Sequence, residues 1–175
     1  LEIIAARRLA YRRHMRRADT DIVPCSPDLP AIDILLDEGK EATGVRGNPE
    51  LISNLITIAD KGRAVAVRII ITGLRATSET IPKEMMADIG ARLAMKVAEE
   101  NELAHILGWK VKFNARDYPY PGCGLWRDDL AGAPQRFRSF DLHKPSSIET
   151  IALACEPWRP ALDEPSAAVP SGALY

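Results

Sequence analysis

A pattern of helical period opens the chain. At 100° per residue, Leu1, Ile4, Tyr11, Met15 and Ala18 fall on one arc while arginines fill most of the rest, which predicts an amphipathic helix over 2–18. Three prolines within 22–30 then predict an extended linker, and 31–38 fits a short helix or a strand equally well. Asn48, Pro49 and the trailing Gly62 bracket a second helix, with Leu51, Ile52, Leu55, Ile56 and Ala59 as its apolar stripe. From Ala64 to Thr72 the β-branched run is nearly continuous. That predicts a central strand over 64–72 with both faces covered.

Pro82 opens the longest helical pattern, in which Met86, Ile89, Leu93, Val97, Ala104 and Leu107 recur until Gly108 closes it. Trp109, Val111, Phe113 and Ala115 then alternate with Lys110, Lys112 and Asn114, a half-exposed strand. The expected fold class is α+β. A small sheet carries a βαβ-like unit made of strand 64–72, long helix 82–107 and strand 109–115. On this reading Ile70→Asp should unfold the domain and Lys112→Asp should cost less than about 1 kcal/mol.

Past residue 116 the punctuation thickens. Residues 118–124 read as a turn-rich loop, Arg136 to Leu142 as an edge strand, and Ser146 with Glu149 as a capping box for a short helix reaching Cys155. Pro157, Pro160, Pro165 and Pro170 mark a tail. The expected organisation is a basic helical arm at 1–20, an acidic linker or short element at 21–44, a core domain at 45–155 and a proline-rich tail at 156–175.

Composition changes this picture little, with 46% hydrophobic and 27% charged residues in 175, close to the globular average. Charge changes it more. The formal net charge of -1 conceals a basic stretch at 1–20, an acidic one at 21–60 and a second basic one at 61–75. No run of apolar residues is long enough for a membrane span, and the apolar start at Leu1 meets Arg7 too soon for a signal peptide. The chain opens on Leu1 rather than Met, which leaves room for a preceding segment. Three widely spaced cysteines do not make a secreted disulfide framework, so a cytoplasmic, reducing setting is expected.

Three constellations carry candidate chemistry. Arg7, Arg8, Arg12, Arg13, Arg16 and Arg17 form a cationic helix suited to an acidic protein surface, including the chain's own acidic stretch. The same arginines suit a nucleic-acid backbone, or an anionic membrane with Ile4, Tyr11 and Met15 inserted. Cys123 between Gly122 and Gly124, with His143 and Asp141 downstream, is the minimal kit for a nucleophilic thiol, set against a plain glycine turn. Arg75, Thr77, Ser78 and Thr80 lie between the predicted strand and helix, where an α/β sheet holds anions. No phosphate-loop lysine pattern and no metal-ligand spacing accompanies them, and no cofactor is implied.

An arm and a tail with few apolar residues become ordered by docking on something else. The expectation is therefore a non-catalytic accessory or structural subunit of a larger, nucleoprotein-type assembly, with protein partners first, nucleic acid next and a membrane surface last. The rival is a small cytoplasmic enzyme using Cys123 and His143, or the Arg75–Thr80 connection as an anion site.

Overall fold

In a computed structural model of the protein, residues 1–44, 47–75, 81–108, 111–112, 114–128, 132–142 and 144–170 are described. The class is mixed α+β, with a two-stranded parallel sheet and a three-stranded antiparallel one. Among the described residues no helix is long and apolar enough to cross a membrane. The chain divides into two units, Leu1–Thr72 together with the stretch from Arg159 onward, and Gly73–Trp158.

The first unit begins with helix α1 (Glu2–Arg17) and continues to strand β1 (Ile32–Leu36). A short helix α2 (Gly39–Thr43) and a longer helix α3 (Pro49–Gly62) then lead to strand β2 (Val67–Ile71). The strands run parallel in register from Ile32 beside Val67 to Leu36 beside Ile71, so α2 and α3 form the crossover that a parallel pair requires. The Asn48 side chain accepts from the Glu50 and Leu51 amides at 2.9 and 3.4 Å and fixes the start of α3, as the sequence predicts. Ile4, Val65 and Val67 form one core cluster, packed by Ile32, Ile34 and Ile58. Val23, Leu29 and Ala66 form another beneath Tyr11 and Met15.

The predicted central strand therefore needs correction. It shortens to β2, because Arg63–Val65 turns as a 3-10 helix and Ala66 is left-handed at φ 59°. It also alternates, with Val67 buried and Ile70 45% exposed. Arg68 and Asp33 share the exposed face, joined by two hydrogen bonds of 2.6 and 2.9 Å. The β-branched run is nearly continuous, yet only one face of the strand meets a core.

Arg7 is a second correction. It projects from α1 into the core, 0% exposed, rather than toward a partner. Its guanidinium donates to the Val65 carbonyl at 2.9 Å, the Pro30 carbonyl at 3.0 Å, the Ser166 hydroxyl at 2.7 Å and the Asp163 carboxylate. Asp163 and Ser166 belong to the proline-rich end, where helix α7 (Glu164–Ala167) packs on α1. That part of the expected tail is a component of the first unit.

In the second unit the predicted long helix breaks into helix α4 (Lys83–Asp88), strand β3 (Arg92–Met95) and helix α5 (Glu100–Leu107). Strand β4 (Cys123–Arg127) pairs antiparallel with β3 on one side and with strand β5 (Gln135–Arg138) on the other. Helical spacing at Leu93 and Val97 coincides with a strand and its exit, since four residues are too few for the two periods to be told apart. Arg92 holds the break together by donating to the carbonyls of Met86, Ile89 and Ile106. Ala94, Leu103, Leu107, Tyr118 and Leu125 form this unit's core. Gly108 ends α5 as the sequence anticipates, at a positive φ of 102° that favours glycine, though its ψ of 152° lies outside the left-handed helical well.

Among the described residues the predicted strand 109–115 is not found. Val111, Lys112 and Asn114 lie outside any strand, Ala115–Asp117 is a 3-10 turn, and Trp109, Lys110 and Phe113 lie outside the described residues. The parallel β1–β2 pair, not 64–72 with 109–115, supplies the βαβ unit. Helix α6 (Pro145–Cys155) reaches Cys155 as expected, but its N-cap is Lys144 with Pro145 at the first position, so Ser146 does not cap it, and it buries none of its residues.

Candidate functional site

Two parallel strands place their carboxyl ends side by side, and in open α/β sheets that is where ligands bind. Asp37 follows the last residue of β1 and Thr72 the last residue of β2. The Thr72 amide donates to the Leu36 carbonyl at 3.0 Å, which extends the ladder by one bond. The Thr72 hydroxyl then donates to Asp37 Oδ1 at 2.6 Å, fixing the carboxylate across the strand pair.

Glu38, next in the chain, takes a left-handed φ of 51°, an uncommon conformation for a residue with a side chain. Gly39 makes the turn feasible. Its amide donates to the Thr72 carbonyl at 2.8 Å, and a Cβ built on it would clash with the Ile71 Cγ2 methyl. The backbone is thus pinned on both sides of Glu38, and the Asp37 and Glu38 side chains stand exposed at the strand ends. A non-glycine residue held in the left-handed region costs about 1–3 kcal/mol, and such residues cluster at active sites and ligand clamps.

Among the described residues no three His, Cys, Asp or Glu side chains gather closely enough to cage a metal. Two carboxylates and a hydroxyl are hard oxygen donors of the kind magnesium takes, one or two at a time, with water and phosphate oxygens completing its octahedron.

The sites proposed from sequence fare unevenly. Cys123 is buried at the start of β4, opposite Arg138, while Asp141 is exposed and lines a cleft of about 500 Å³ with Pro121, Gly122 and Phe140. His143 lies outside the described residues, so the Cys123–His143–Asp141 grouping is not assembled among them. Arg75 is an exposed residue whose Nε lies 3.9 Å from the buried Glu102 carboxylate. Thr77, Ser78 and Thr80 lie outside the described residues. Arg8, Arg12, Arg13, Arg16 and Arg17 are all exposed on α1.

Sequence reasoning did not single out Asp37, Glu38 and Thr72. A signal was there, an apolar run Ile34-Leu35-Leu36 ending in two adjacent acids, but 31–38 fitted helix and strand equally.

No family model and no curated protein sequence matches the chain. Solved structures do resemble it. The cytoplasmic domain of the type VII secretion ATPase EccC from Thermomonospora curvata aligns over 81% of the chain at 18% identity, with a TM-score of 0.57. EssC (ATPases 2 and 3) from Geobacillus thermodenitrificans aligns over 97% at 17% identity and 0.62. The pCW3 conjugation coupling protein TcpA, in a monomer form with ATPγS, aligns over 86% at 15% identity and 0.56. The likeness is one of fold. The chain spans only 17%, 31% and 49% of those three chains respectively.

Proposed function

We propose that this chain is part of a nucleotide-dependent subunit of a larger assembly, and that Asp37 and Glu38 form the metal side of a nucleoside-triphosphate site. The observation that carries the reading is the Thr72–Asp37 hydrogen bond, which fixes a carboxylate at the paired ends of β1 and β2. Nucleotide-hydrolysing α/β domains use such an aspartate for magnesium. The three structural relatives support the reading. One is a secretion ATPase, one is described by its ATPases 2 and 3, and the third is a conjugation coupling protein solved with an ATP analogue.

Asp37, held by Thr72, would take a magnesium ion directly or through its water shell, and the ion would neutralise charge on bridging phosphates. Glu38 has no hydrogen-bond partner among the described residues and is free to accept a proton from an attacking water. The sequence contains no Gly-x-x-x-x-Gly-Lys-Ser/Thr loop, so these residues offer a nucleotide its metal ligands and not its phosphate cradle.

The test is binding of a fluorescent ATPγS analogue to the intact protein with and without magnesium, together with ATP turnover. Asp37→Asn should weaken magnesium-dependent binding at least tenfold. Glu38→Gln should leave binding in place and remove turnover. Absence of any magnesium-dependent nucleotide binding by the parent protein sinks the reading.

A further inference from the structure

The outward half of α1 carries a charge that the rest of the described protein leaves unanswered. Arg8, Arg12 and Arg16 recur every fourth residue, so they rise along one line about 6 Å apart, and Arg13 and Arg17 flank them. All five are exposed, and none has an ion pair among the described residues. Among the described residues the acidic stretch at 21–60 makes no ion pair with them; Asp33 pairs with Arg68 instead, and Asp19 and Asp21 line the same groove of about 870 Å³ as Arg8, Arg12 and Arg16 without pairing with them. Glu2 is the single acid on the helix itself.

We infer that this face docks on the phosphate backbone of a nucleic acid, without reading its bases. A membrane fits less well as the main partner, because the side chains that would insert are already used. Ile4 is buried, and Tyr11 and Met15 pack over Val23, Leu29 and Ala66. An acidic protein surface fits less well, since protein interfaces centre on an apolar or aromatic anchor and this face offers only Leu9, 76% exposed. Nucleic-acid interfaces are instead strongly cationic, and the planar guanidinium fork matches a phosphate's oxygens. The regular line of Arg8, Arg12 and Arg16 provides several such forks on one rigid helix. Nothing in this inference depends on Asp37 or Glu38.

The experiment titrates a fluorescein-labelled 30-base-pair duplex with the full chain, in buffer with chelator and no nucleotide, at several salt concentrations. Three to five phosphate contacts predict a slope of log K against log salt of about -2.7 to -4.5, a loss of about 40- to 500-fold between 50 and 200 mM salt. The variant Arg8→Gln/Arg12→Gln/Arg16→Gln should flatten the slope by about 2.7 while its circular-dichroism melt stays with the parent's. Should that variant fail to fold, the parent's own slope and the variant Arg13→Gln/Arg17→Gln, expected to flatten it by about 1.8, still decide the matter. The inference is overturned if the parent does not bind the duplex, or binds with no salt dependence. It is equally overturned if polyglutamate or phosphatidylserine vesicles, at matched charge, are bound more tightly than the duplex.

Discussion

At the scale of single residues, Arg7 governs more than any other side chain described. It is an arginine with no exposed surface, and its partner Asp163 is almost as deeply buried. Removing one member of such a pair leaves an uncompensated charge in the core, which costs about 3–5 kcal/mol. Arg7→Met should therefore lower the urea midpoint sharply, and Arg7→Met/Asp163→Leu should recover much of the loss. If the double variant is no better than the single one, the ion pair is not what Arg7 contributes. His105 is the other residue with a measurable consequence. Burial, then the charges of Arg92 and Lys83, hold its pKa below the ordinary 6.5. The folded state thus prefers the neutral ring, and in acid the unfolded chain binds the extra proton. Stability should be complete above about pH 6.5 and fall as the pH drops below it. Thermal melts at pH 7.5 and 5.5 should show a smaller acid-induced drop in His105→Gln than in the parent.

At the scale of elements, β2 shows how the pattern of a strand differs from its surroundings. Val67 is buried and Ile70 is half out, although Ile69, Ile70 and Ile71 look alike in the sequence. Val67→Asp should cost several kcal/mol, whereas Ile70→Asp should cost about 1 kcal/mol, contrary to what the run of β-branched residues implies. Chemical denaturation of the two variants separates the cases, and equal losses would mean that both faces of β2 are covered after all. Helices with end signals were legible. Asn48 and Pro49 place α3, and the apolar arc of Ile4, Tyr11 and Met15 places α1. Strand β3 was not legible, because four residues cannot display a period and because its place is set by pairing with β4, thirty residues away. The Asp37–Glu38 turn was hidden for the same reason. Its meaning comes from Thr72, which the parallel register brings alongside.

At the scale of the whole molecule, the two units draw on separate cores, and the first is assembled from both ends of the chain. Sequence composition separates the basic start and the proline-rich end from the middle, but it does not show that Arg7 and Asp163 bind each other across 156 positions. A contact that remote leaves no local trace; only the buried ion pair reveals it. The consequence is a stability that is regional. Disrupting the Arg7–Asp163 pair should loosen α1, β1, β2 and α7 together, since Arg7 also holds the carbonyls of Pro30 and Val65. The β3–β4–β5 sheet and α5 contain none of these partners. Hydrogen exchange followed by mass spectrometry on Arg7→Met should therefore show faster exchange in peptides from 2–17, 32–36, 67–71 and 163–168, with protection across 92–95, 100–107, 123–127 and 135–138 unchanged. Leu103→Ala, which opens a cavity in the second core, should give the reverse map. If either variant accelerates exchange uniformly along the chain, the two cores unfold as one cooperative body and the division at Thr72 and Arg159 has no energetic meaning.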